Sequence, residues 1–395
     1  MSEDMSGWRE CKLGNTGNVI TGKTPSKDNP EDWGNEVLFI TPSDYKNYGK
    51  KAYSSIRMLS RVGIERQKNR LLPPSSVLVT CIGSDMGKSV VNSSSCVTNQ
   101  QINAIIPDLS VVNADYLYYL TIDLYDIFRS KGGDGTAVPI LNKSDFEKID
   151  ILLPSLPEQK AIAAILSSLD DKIDLLHRQN KTLESIAETL FRQWFIEEVQ
   201  DNWEEYSVSD FADHVKENVV PAKSKSEYYH HYSLPAFDEG KRPTLELGSE
   251  ILSNKYKVVE HSILVSKLNP KVPRIWPVSS LPSKNSICST EFQVLKPKNI
   301  KLYGYLLFLL RSNDAVDALS MAASGTSGSH QRVRPEDIFN IKTSLPSLAR
   351  AEQYSNMVMP GIAKTSSNQI QIQSLEKLRD TLLPKLMSGE VRVIN

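Results

Sequence analysis

The chain has 395 residues, with 46 Lys and Arg against 47 Asp and Glu, and a formal net charge of −1. Its length predicts two or three domains, because a single core rarely grows past about 250 residues. A hydrophobic content of 40% with 24% charged residues excludes wholesale disorder. The near-neutral charge argues, at first sight, against a nucleic-acid partner, whose usual footprint is basic.

The four cysteines are scattered and form no C-x-x-C pair, which argues against a disulfide framework and against a thiolate zinc site. The N-terminus is acidic and polar and is therefore not a signal peptide. The longest apolar run, Leu302 to Leu310, is far shorter than the roughly 20 residues that a membrane span needs. We expect a cytoplasmic soluble protein that holds no metal.

An internal repeat fills the chain. The tetrapeptide Leu-Pro-Ser-Leu occupies residues 153–156 and returns at 345–348, 192 residues later. Leu183-Glu184 recurs as Leu375-Glu376 at the same separation. Repeats of this size predict two domain-sized copies related by local pseudo-twofold symmetry rather than a solenoid.

The first part of each copy has the pattern of a globular α/β or α+β domain. Val77–Thr80 and Ile263–Ser266 are apolar runs in matching places and predict buried strands. Ala114–Phe128 and Leu302–Leu319 predict one helix each, again in matching places.

Residues 17–24 match the phosphate-loop pattern G-x-x-x-x-G-K-[ST] letter for letter. That loop binds phosphate only when a helix begins at its Lys-Thr step. Here Pro25 and Pro30 prevent a helix, so we predict a surface turn. A nucleotide hydrolase stays an alternative, which ATP binding lost on Lys23→Ala would support. No other nucleophile, acid-base or metal-ligand pattern points to catalysis by this chain.

A long helix follows the first globular part. Ser155 to Glu158 resembles a capping box with Pro in the first turn. Apolar residues then recur at the 4,3 spacing of a coiled coil, with a single polar residue, Asn180, which we expect to fix the register. A helix buried within one globule is the alternative. The predicted seam consists of Ile162, Leu166, Leu169, Ile173, Leu176, Asn180, Leu183 and Leu190.

A second long helix, from about Ala349 to Met387, closes the chain and is less regular. Leu375 and Leu382 keep part of the seam pattern, whereas Pro360-Gly361 should kink or interrupt the helix. We predict an α+β fold in which two long antiparallel helices form a coiled coil that separates two similar globular domains. The predicted boundaries are 1–152 and 201–345 for the globular domains, and 153–200 and 346–395 for the helices.

Basic stretches occur in both globular parts. Eight basic residues and one acid lie between Lys46 and Arg70, and six basic residues and one acid lie between Lys255 and Lys284. Glycine-rich segments precede each long helix, at 130–138 and 323–334. Such residues suit contacts to phosphates and base edges, although a solvated face or a plain turn is the alternative. The candidate DNA contacts are Thr24, Ser26, Lys27, Lys46, Lys50, Lys51, Arg57, Lys88, Lys131, Thr136, Lys267, Asn269, Lys271, Arg274, His330, Gln331, Arg332 and Arg334.

Several segments resemble the specificity (S) subunits of type I restriction-modification systems. The resemblance is carried by residues 153–162 (LPSLPEQKAI), by 183–195 and by the terminal 382–393. Residues 22–26, followed by Trp33-Gly34, look like the start of a target-recognition domain of that family. The second copy departs from the pattern, because Ala349-Arg350-Ala351 replaces the Pro-Glu of the first.

The resemblance implies a non-catalytic subunit in which each recognition domain reads one half of a bipartite double-stranded DNA target. The helices would set the unread gap and dock two methyltransferase subunits, which bind S-adenosylmethionine. Restriction subunits, which use ATP and Mg²⁺, would complete the complex. No cofactor is expected on this chain. A coiled-coil scaffold that does not read DNA remains the alternative.

Overall fold

The computed structural model describes residues 7–133, 139–224, 226–323 and 331–393. The chain divides into two compact units, each containing one globular domain and part of both long helices. Unit 1 comprises Met1–Leu176 and Gln371–Asn395, and unit 2 comprises His177–Ile370.

The described residues of unit 1 form three sheets, with strand orders β1-β11, β2-β10-β7-β8-β5 and β3-β6-β4-β9. Most neighbouring strands are antiparallel, but β4 pairs with β9, and β5 with β8, in parallel. The strands are β1 Arg9–Lys12, β2 Gly17–Thr21, β3 Trp33–Gly34, β4 Val37–Ile40, β5 Lys51–Ala52, β6 Arg57–Leu59, β7 Val77–Thr80, β8 Ser89–Asn92, β9 Cys96–Thr98, β10 Ile102–Pro107 and β11 Asp150–Leu153. The α-helices of its globular part are α1 Arg61–Arg66, α2 Ala114–Asp123, α3 Tyr125–Lys131 and α4 Lys143–Glu147.

Strand β7 shows why the sequence has an unbroken apolar run at this place. Val77 and Val79 pack in the same core as Tyr116 and Phe128 of the helices. Leu78, on the opposite face, packs in a second core with Leu38. Both faces of β7 are therefore buried, and a strand buried on both faces reads as a continuous apolar run rather than an alternating one.

In unit 2, three sheets are likewise formed by the part of the chain that the structure describes, with orders β12-β22, β13-β21-β18-β19 and β14-β17-β20-β15-β16. Its strands are β12 Glu204–Ser207, β13 Ala212–Val215, β14 Asn218–Val219, β15 Tyr228–Tyr232, β16 Thr244–Leu247, β17 Lys255–Lys257, β18 Ser262–Ser266, β19 Ile275–Val278, β20 Ser286–Ser289, β21 Phe292–Pro297 and β22 Lys342–Leu345. The α-helices of its globular part are α6 Val208–Phe211, α7 Leu234–Asp238, α8 Tyr303–Arg311, α9 Asn313–Ala322 and α10 Pro335–Phe339.

The two units share a central arrangement of strands, which confirms the predicted duplication, although the remaining strands differ in number and order. The order β2-β10-β7-β8 of unit 1 reappears as β13-β21-β18-β19 in unit 2. The parallel pair β4-β9 reappears as β15-β20, and the short ladder β1-β11 as β12-β22. The two predicted buried strands, Val77–Thr80 and Ile263–Ser266, occupy equivalent central positions.

The two predicted domain helices are each divided into two helices. The segment 114–128 breaks at Leu124, between α2 and α3, and the segment 302–319 breaks at Ser312, between α8 and α9. Ser312 has extended backbone angles, and its side chain accepts a hydrogen bond from the Ala315 amide at 3.2 Å. It is therefore the N-cap of a new helix, which explains why one continuous helix was a wrong prediction.

Residues 17–21 form strand β2 rather than the predicted surface turn. Val19 is 2% exposed, and β2 pairs antiparallel with β10 from Gly17 to Thr21. No helix begins at Lys23 or Thr24, and the next helical residues are the 3₁₀ turn Pro30–Asp32. The segment thus lacks the helix N-terminus that a phosphate loop requires.

The long helices are α5, Leu156–Arg192, and α11, Leu348–Met387. A π-helical turn, Gln193–Glu197, follows α5 directly. Of the kink or interruption predicted at Pro360-Gly361, the interruption is wrong, because α11 runs through both residues. Val358 and Ile362, on either side, are buried in the core of unit 2. This packing offsets the backbone hydrogen bond that Pro360 cannot donate.

No helix within the described ranges is both long and apolar enough to cross a membrane.

In unit 1, α5 and the end of α11 run antiparallel. Glu158 accepts hydrogen bonds from Arg392 at 2.7 and 3.1 Å, and Asp170 accepts one from Arg379 at 2.9 Å. Ile173 shares a small apolar cluster with Ile372. The residue numbers rise along α5 as they fall along α11 and the segment that follows it, which is the antiparallel arrangement that the sequence predicts.

In unit 2, the remainder of α5 packs against the first part of α11 in the same sense. The Asn368 amide donates a hydrogen bond to Asn180 Oδ1 at 2.7 Å, and Tyr354 donates one to the Ala187 carbonyl at 2.8 Å. Asn368 is 0% exposed. Asn180, the polar residue of the predicted seam, therefore has a buried polar partner on the other helix.

The predicted seam residues differ in their surroundings. Those near the start of α5, Ile162 and Leu166, pack into the core of the unit 1 domain. Leu176 joins Ile173, Ile372 and the partly buried Leu375 in a cluster formed only by the helices. The partly buried members of the predicted seam are Leu169, Asn180, Leu183, Leu190, Leu375 and Leu382.

The ion pair Asp170–Arg379 is the principal buried polar contact of the helices in unit 1. Asp170 is 7% exposed and also accepts a hydrogen bond from Tyr119 of α2 at 2.6 Å. Burial disfavours the Arg379 cation, but its hydrogen bonds and charge interactions with Asp170 and Asp380 outweigh burial and raise the pKa of Arg379. The pair thus joins three helices around one carboxylate.

We expect Arg379→Ala to lower the free energy of unfolding by about 3–5 kcal/mol, because it leaves a buried carboxylate without its counter-charge. Urea unfolding followed by circular dichroism measures this change. Lys12→Ala is the matched control, since the Lys12–Asp150 pair has side chains 50% and 83% exposed and should contribute less than about 1 kcal/mol. Equal effects of the two substitutions would contradict the prediction.

Candidate nucleic-acid interface

In unit 1, the turn between β7 and β8 lies against the chain that flanks the glycine-rich segment. The Leu141 amide donates to the Cys81 carbonyl at 2.8 Å, and the Gly83 amide donates to the Pro139 carbonyl at 3.0 Å. Ile82 and Ile140 form an antiparallel bridge between these bonds. The Cys81 amide donates to the carbonyl of Gln101 at 2.7 Å, which brings in the β9–β10 turn.

Unit 2 repeats this pattern bond for bond. The Val333 amide donates to the Lys267 carbonyl at 3.0 Å, and the Asn269 amide to the Gln331 carbonyl at 2.9 Å. Leu268 and Arg332 form the equivalent bridge, and the Lys267 amide donates to the carbonyl of Glu291 at 2.8 Å. We call this arrangement the loop junction. It comprises residues 81–88, 99–101 and 139–141 in unit 1, and residues 267–274, 289–291 and 331–333 in unit 2.

Residues that tolerate positive φ shape both junctions. Gly83 and Gly87 have φ values of +88° and +93° in unit 1, and Asn269 has +50° in unit 2. Glycine adopts this region without a steric penalty, and asparagine tolerates it better than most residues. At Gly87 a side chain would also meet the Tyr125 ring, with a Cβ only 2.7 Å from a ring carbon. The sequence thus permits tight turns at the places where the two segments meet.

The arginines of the unit 2 junction are held by carboxylates. Arg274 donates two hydrogen bonds to Asp238, at 2.8 and 2.9 Å, and these bonds raise the pKa of Arg274. Arg332 donates two to Glu291, both at 3.2 Å, which likewise raises the pKa of Arg332. Both guanidinium groups are therefore oriented and locally neutralised.

Other candidate residues near the junctions are paired locally or exposed. Lys88 forms an ion pair with Asp85 at 2.6 Å, and Arg334 forms one with Asp337 at 3.3 Å. Lys131 and Lys271 are exposed and have no side-chain partner among the described residues. Lys267 and Asn269 are half-buried and contribute the backbone bonds given above. Thr136 and His330 lie outside the described residues.

The segment that contains Thr24 adjoins the unit 1 junction. The Thr24 hydroxyl donates to the Gln100 side chain at 2.9 Å, next to the Gln101 carbonyl that contacts Cys81. The Ser26 hydroxyl donates a hydrogen bond to the Asp28 carboxylate at 3.1 Å, and Lys27 is exposed. Sequence reasoning missed Gln100 and Gln101, although their position in a short polar turn between two apolar strands is a signal that could have identified them.

Lys50 and Lys51 are adjacent but have different surroundings. The Lys50 side chain is 6% exposed, pairs with Asp115 at 2.5 Å and donates to Ser167 of α5 at 2.7 Å. Its ammonium also lies 4.9 Å from the Tyr119 ring centre. Lys51 and Lys46 are exposed, without a side-chain partner among the described residues. The structure therefore places Lys50 at the attachment of the domain to α5, away from solvent.

We expect Lys50→Met to lower the free energy of unfolding by about 1–2 kcal/mol, because it removes a buried hydrogen bond and a cation–π contact. Lys51→Met should change stability by less than about 0.5 kcal/mol. DNA affinity, measured by fluorescence anisotropy, should instead respond to Lys51→Met, with a salt slope smaller by about 1. The reverse pattern would contradict both assignments.

A separate aromatic and basic surface lies on the sheet β3-β6-β4-β9. The Arg57 guanidinium stacks on Trp33, with 3.3 Å between its carbon and the ring centre. Trp33 in turn packs edge-on against Phe39 at 5.1 Å. Arg57 is exposed and thus presents a flat cation on an aromatic support.

Within the described ranges, no group of three or more His, Cys, Asp and Glu side chains could hold a metal ion. His230 contacts Ser283 at 2.9 Å and His231 contacts Glu246 at 3.0 Å, so the adjacent histidines point to separate partners.

Two copies of one α/β domain, each with the same loop junction and each attached to a pair of antiparallel helices, define a protein with duplicated recognition domains. The sequence matches the family described as type I restriction modification DNA specificity domain, over residues 5–185 and 200–377. The chain therefore belongs to that family, as the resemblance predicted, and is a DNA-recognition subunit rather than a catalytic one.

Individual comparisons agree. The type I restriction enzyme MjaIX specificity subunit of Methanocaldococcus jannaschii is 29% identical, over 98% of this chain and 94% of that protein. The HindI specificity subunit of Haemophilus influenzae is 33% identical over 47% of this chain and 40% of its own length. The crystal structure of the S subunit from M. genitalium has the same fold, with a TM-score of 0.62 at 15% identity and 98% coverage of both chains. The scaffold and hydrolase alternatives receive no support.

Proposed function

We propose that each unit reads one half of an asymmetric, bipartite DNA target. The observation that carries this proposal is the loop junction, which has one backbone hydrogen-bond pattern in both units but different side chains. A shared frame with Lys88 in one unit and Arg274 and Arg332 in the other supports two readers with different preferences. We keep residues 1–152 and 201–345 as the proposed boundaries of the two target-recognition domains.

The exposed lysines suit phosphate contacts, and the arginines suit base edges. An ammonium without an internal partner is free to bind a phosphate oxygen, and such contacts position a protein without specifying sequence. A guanidinium matches the O6 and N7 atoms of guanine with two hydrogen bonds. Arg274 and Arg332 would exchange their carboxylates for such a base. The proposed phosphate contacts are Lys27, Lys46, Lys51, Lys131 and Lys271.

The partners follow from the same proposal. The long helices would dock two methyltransferase subunits that carry S-adenosylmethionine, and would set the unread gap between the half-sites. Restriction subunits with ATP and Mg²⁺ would join the same complex. This chain would position the complex on DNA and determine its sequence specificity, and the partner subunits would catalyse the reactions.

Methylome sequencing tests the proposal directly. Cells that express the methyltransferase partner with this chain should acquire one asymmetric bipartite methylated motif, which disappears when this chain is omitted. Arg332→Gln should lower the base specificity at one position of one half-site, because the two hydrogen bonds from a guanidinium to guanine are lost. Arg61→Gln, at an exposed pair 3.6 Å from Glu36, is the matched control and should change nothing. A palindromic motif, or none, would contradict the proposal.

A further inference from the structure

Two polar contacts link the long helices, one in each unit. Asp170 of α5 contacts Arg379 of α11 in unit 1, and Asn180 of α5 contacts Asn368 of α11 in unit 2. Because the chain repeats across these helices after 192 residues, each position in α5 has a counterpart in α11.

All four counterparts are apolar. Asp170 corresponds to Ile362 and Arg379 to Ala187, and both counterparts lie in the core of unit 2. Asn180 corresponds to Ile372 and Asn368 to Leu176, and both lie in the apolar cluster of unit 1. The internal symmetry is thus broken at the polar positions, and each polar group finds its complement only when α5 lies on α11.

Pairing of like helices from two copies of the chain would lose these complements. If α5 lay antiparallel on α5 of a second copy, Asp170 would face Ala187 and Asn180 would face Leu176. If α11 lay on α11, Arg379 would face Ile362 and Asn368 would face Ile372. Each arrangement would bury a charge and an amide against apolar side chains, which is strongly unfavourable.

We propose that the pairs Asp170–Arg379 and Asn180–Asn368 direct α5 onto α11 and exclude self-pairing of this chain with a second copy through like helices. Seam positions with identical counterparts make no such distinction, since Leu183 and Leu190 of α5 correspond to Leu375 and Leu382 of α11. A polar residue at one position of a helical interface specifies the partner at some cost in stability. The inference does not depend on the DNA-reading proposal.

A full-length variant with a symmetric seam tests the inference. Asp170→Ile, Arg379→Ala, Asn180→Ile and Asn368→Leu give each position its counterpart's residue. After unfolding in urea and refolding, native mass spectrometry should detect at least about tenfold more dimer for this variant than for the wild type. A variant that refolds with wild-type helix content and stays monomeric would overturn the inference.

Cysteine pairs at facing seam positions distinguish the kinds of dimer. Because Asn180 would face Leu176 of the second copy, Leu176→Cys with Asn180→Cys, added to Asp170→Ile, Arg379→Ala and Asn368→Leu, should give disulfides between two copies. The same two cysteines with Asp170, Arg379 and Asn368 unchanged should give none. A dimer that forms neither this disulfide nor the equivalent one from Asn368→Cys with Ile372→Cys would contain α5 on α11 of the second copy, and would contradict the inference.

Two further variants separate pairing from folding. Asp170→Arg with Arg379→Asp reverses the ion pair, keeps α5 complementary to α11 and should stay monomeric. Asn180→Ile with Asn368→Leu leaves the ion pair intact and serves if the fourfold variant fails to refold, with a smaller increase in dimer expected. Dimer formation by the reversed pair equal to that of the fourfold variant would overturn the inference.

Discussion

Exchange of residues 1–155 for the same segment of another specificity subunit is expected to replace one half of the methylated motif and to leave the other half unchanged. The half-site read by unit 1 should fall to background methylation, because its loop junction leaves with the exchanged segment. Methylome sequencing measures both halves in one experiment. Change in both halves, or in neither, would contradict the assignment of one half-site to each unit.

The structure fixes where the exchange must be made. Strand β11, Asp150–Leu153, pairs with β1 at the other end of the segment, and α5 begins at Leu156. A cut after residue 150 would combine a foreign β1 with most of the native β11, whereas a cut after residue 155 moves the whole ladder. We therefore expect the 1–150 exchange to be the less stable of the two chimaeras.

The donor segment must also supply the contacts that hold the domain to α5. Lys50 bonds Ser167, and Tyr119 bonds Asp170. A donor without the tyrosine leaves the buried Asp170 one hydrogen bond short, which costs about 1–3 kcal/mol. Restoring a tyrosine at that position is the control, and it should recover stability without changing the half-site that is read.

Insertion of one heptad into both long helices is expected to lengthen the unread gap by about three base pairs, with both half-sites unchanged. Seven residues add about 10 Å of helix at ~1.5 Å per residue, against ~3.4 Å per base pair. Seven residues also make nearly two complete turns, so the phase of the packing faces is kept. The methylated motif gives the gap directly, and an unchanged gap would contradict the role of the helices as a spacer.

The division of the helices between the units gives the insertion points. Insertions after Leu176 and after Ile370 fall between the two units, so each helix-to-helix contact described above keeps its partner. Insertion into α5 alone is the control, because only one of the paired helices then lengthens and the contacts on one side of the insertion are shifted. We expect that variant to lose cooperative unfolding or methylation rather than to gain a longer gap.

The duplication and the first long helix follow from the sequence because both depend on spacing along the chain. The polar partners of the helices do not, since spacing within one helix says nothing about which residue lies opposite on another. Asn180 was recognisable as a polar seam residue, but its partner Asn368 required the structure. Continuity through Pro360 likewise depends on tertiary packing, which overrides the local preference.

The candidate site was predictable in part. Lys88 and Lys271 lie in the β7–β8 and β18–β19 turns, and the glycine-rich segments are visible in the sequence. The contacts of these turns with residues 139–141 and 331–333 were not predictable, because they join residues far apart in sequence. Lys50 and Lys51 look equivalent in the sequence, but strand β5 begins at Lys51 and Lys50 lies in the bend before it. Which lysine faces inward depends on Asp115 and Ser167, neither of which is close to it in sequence.

The internal pairing of Arg274 with Asp238 and of Arg332 with Glu291 has a thermodynamic consequence. A lysine without a partner that binds phosphate releases about one condensed cation from DNA. An arginine that leaves a carboxylate for DNA exposes an anion, which attracts a cation from solution and offsets the release. The number of cations released, obtained from the ionic-strength dependence of binding, should therefore be close to the number of unpartnered lysines that bind phosphate. It should be smaller than the total number of cationic contacts with DNA.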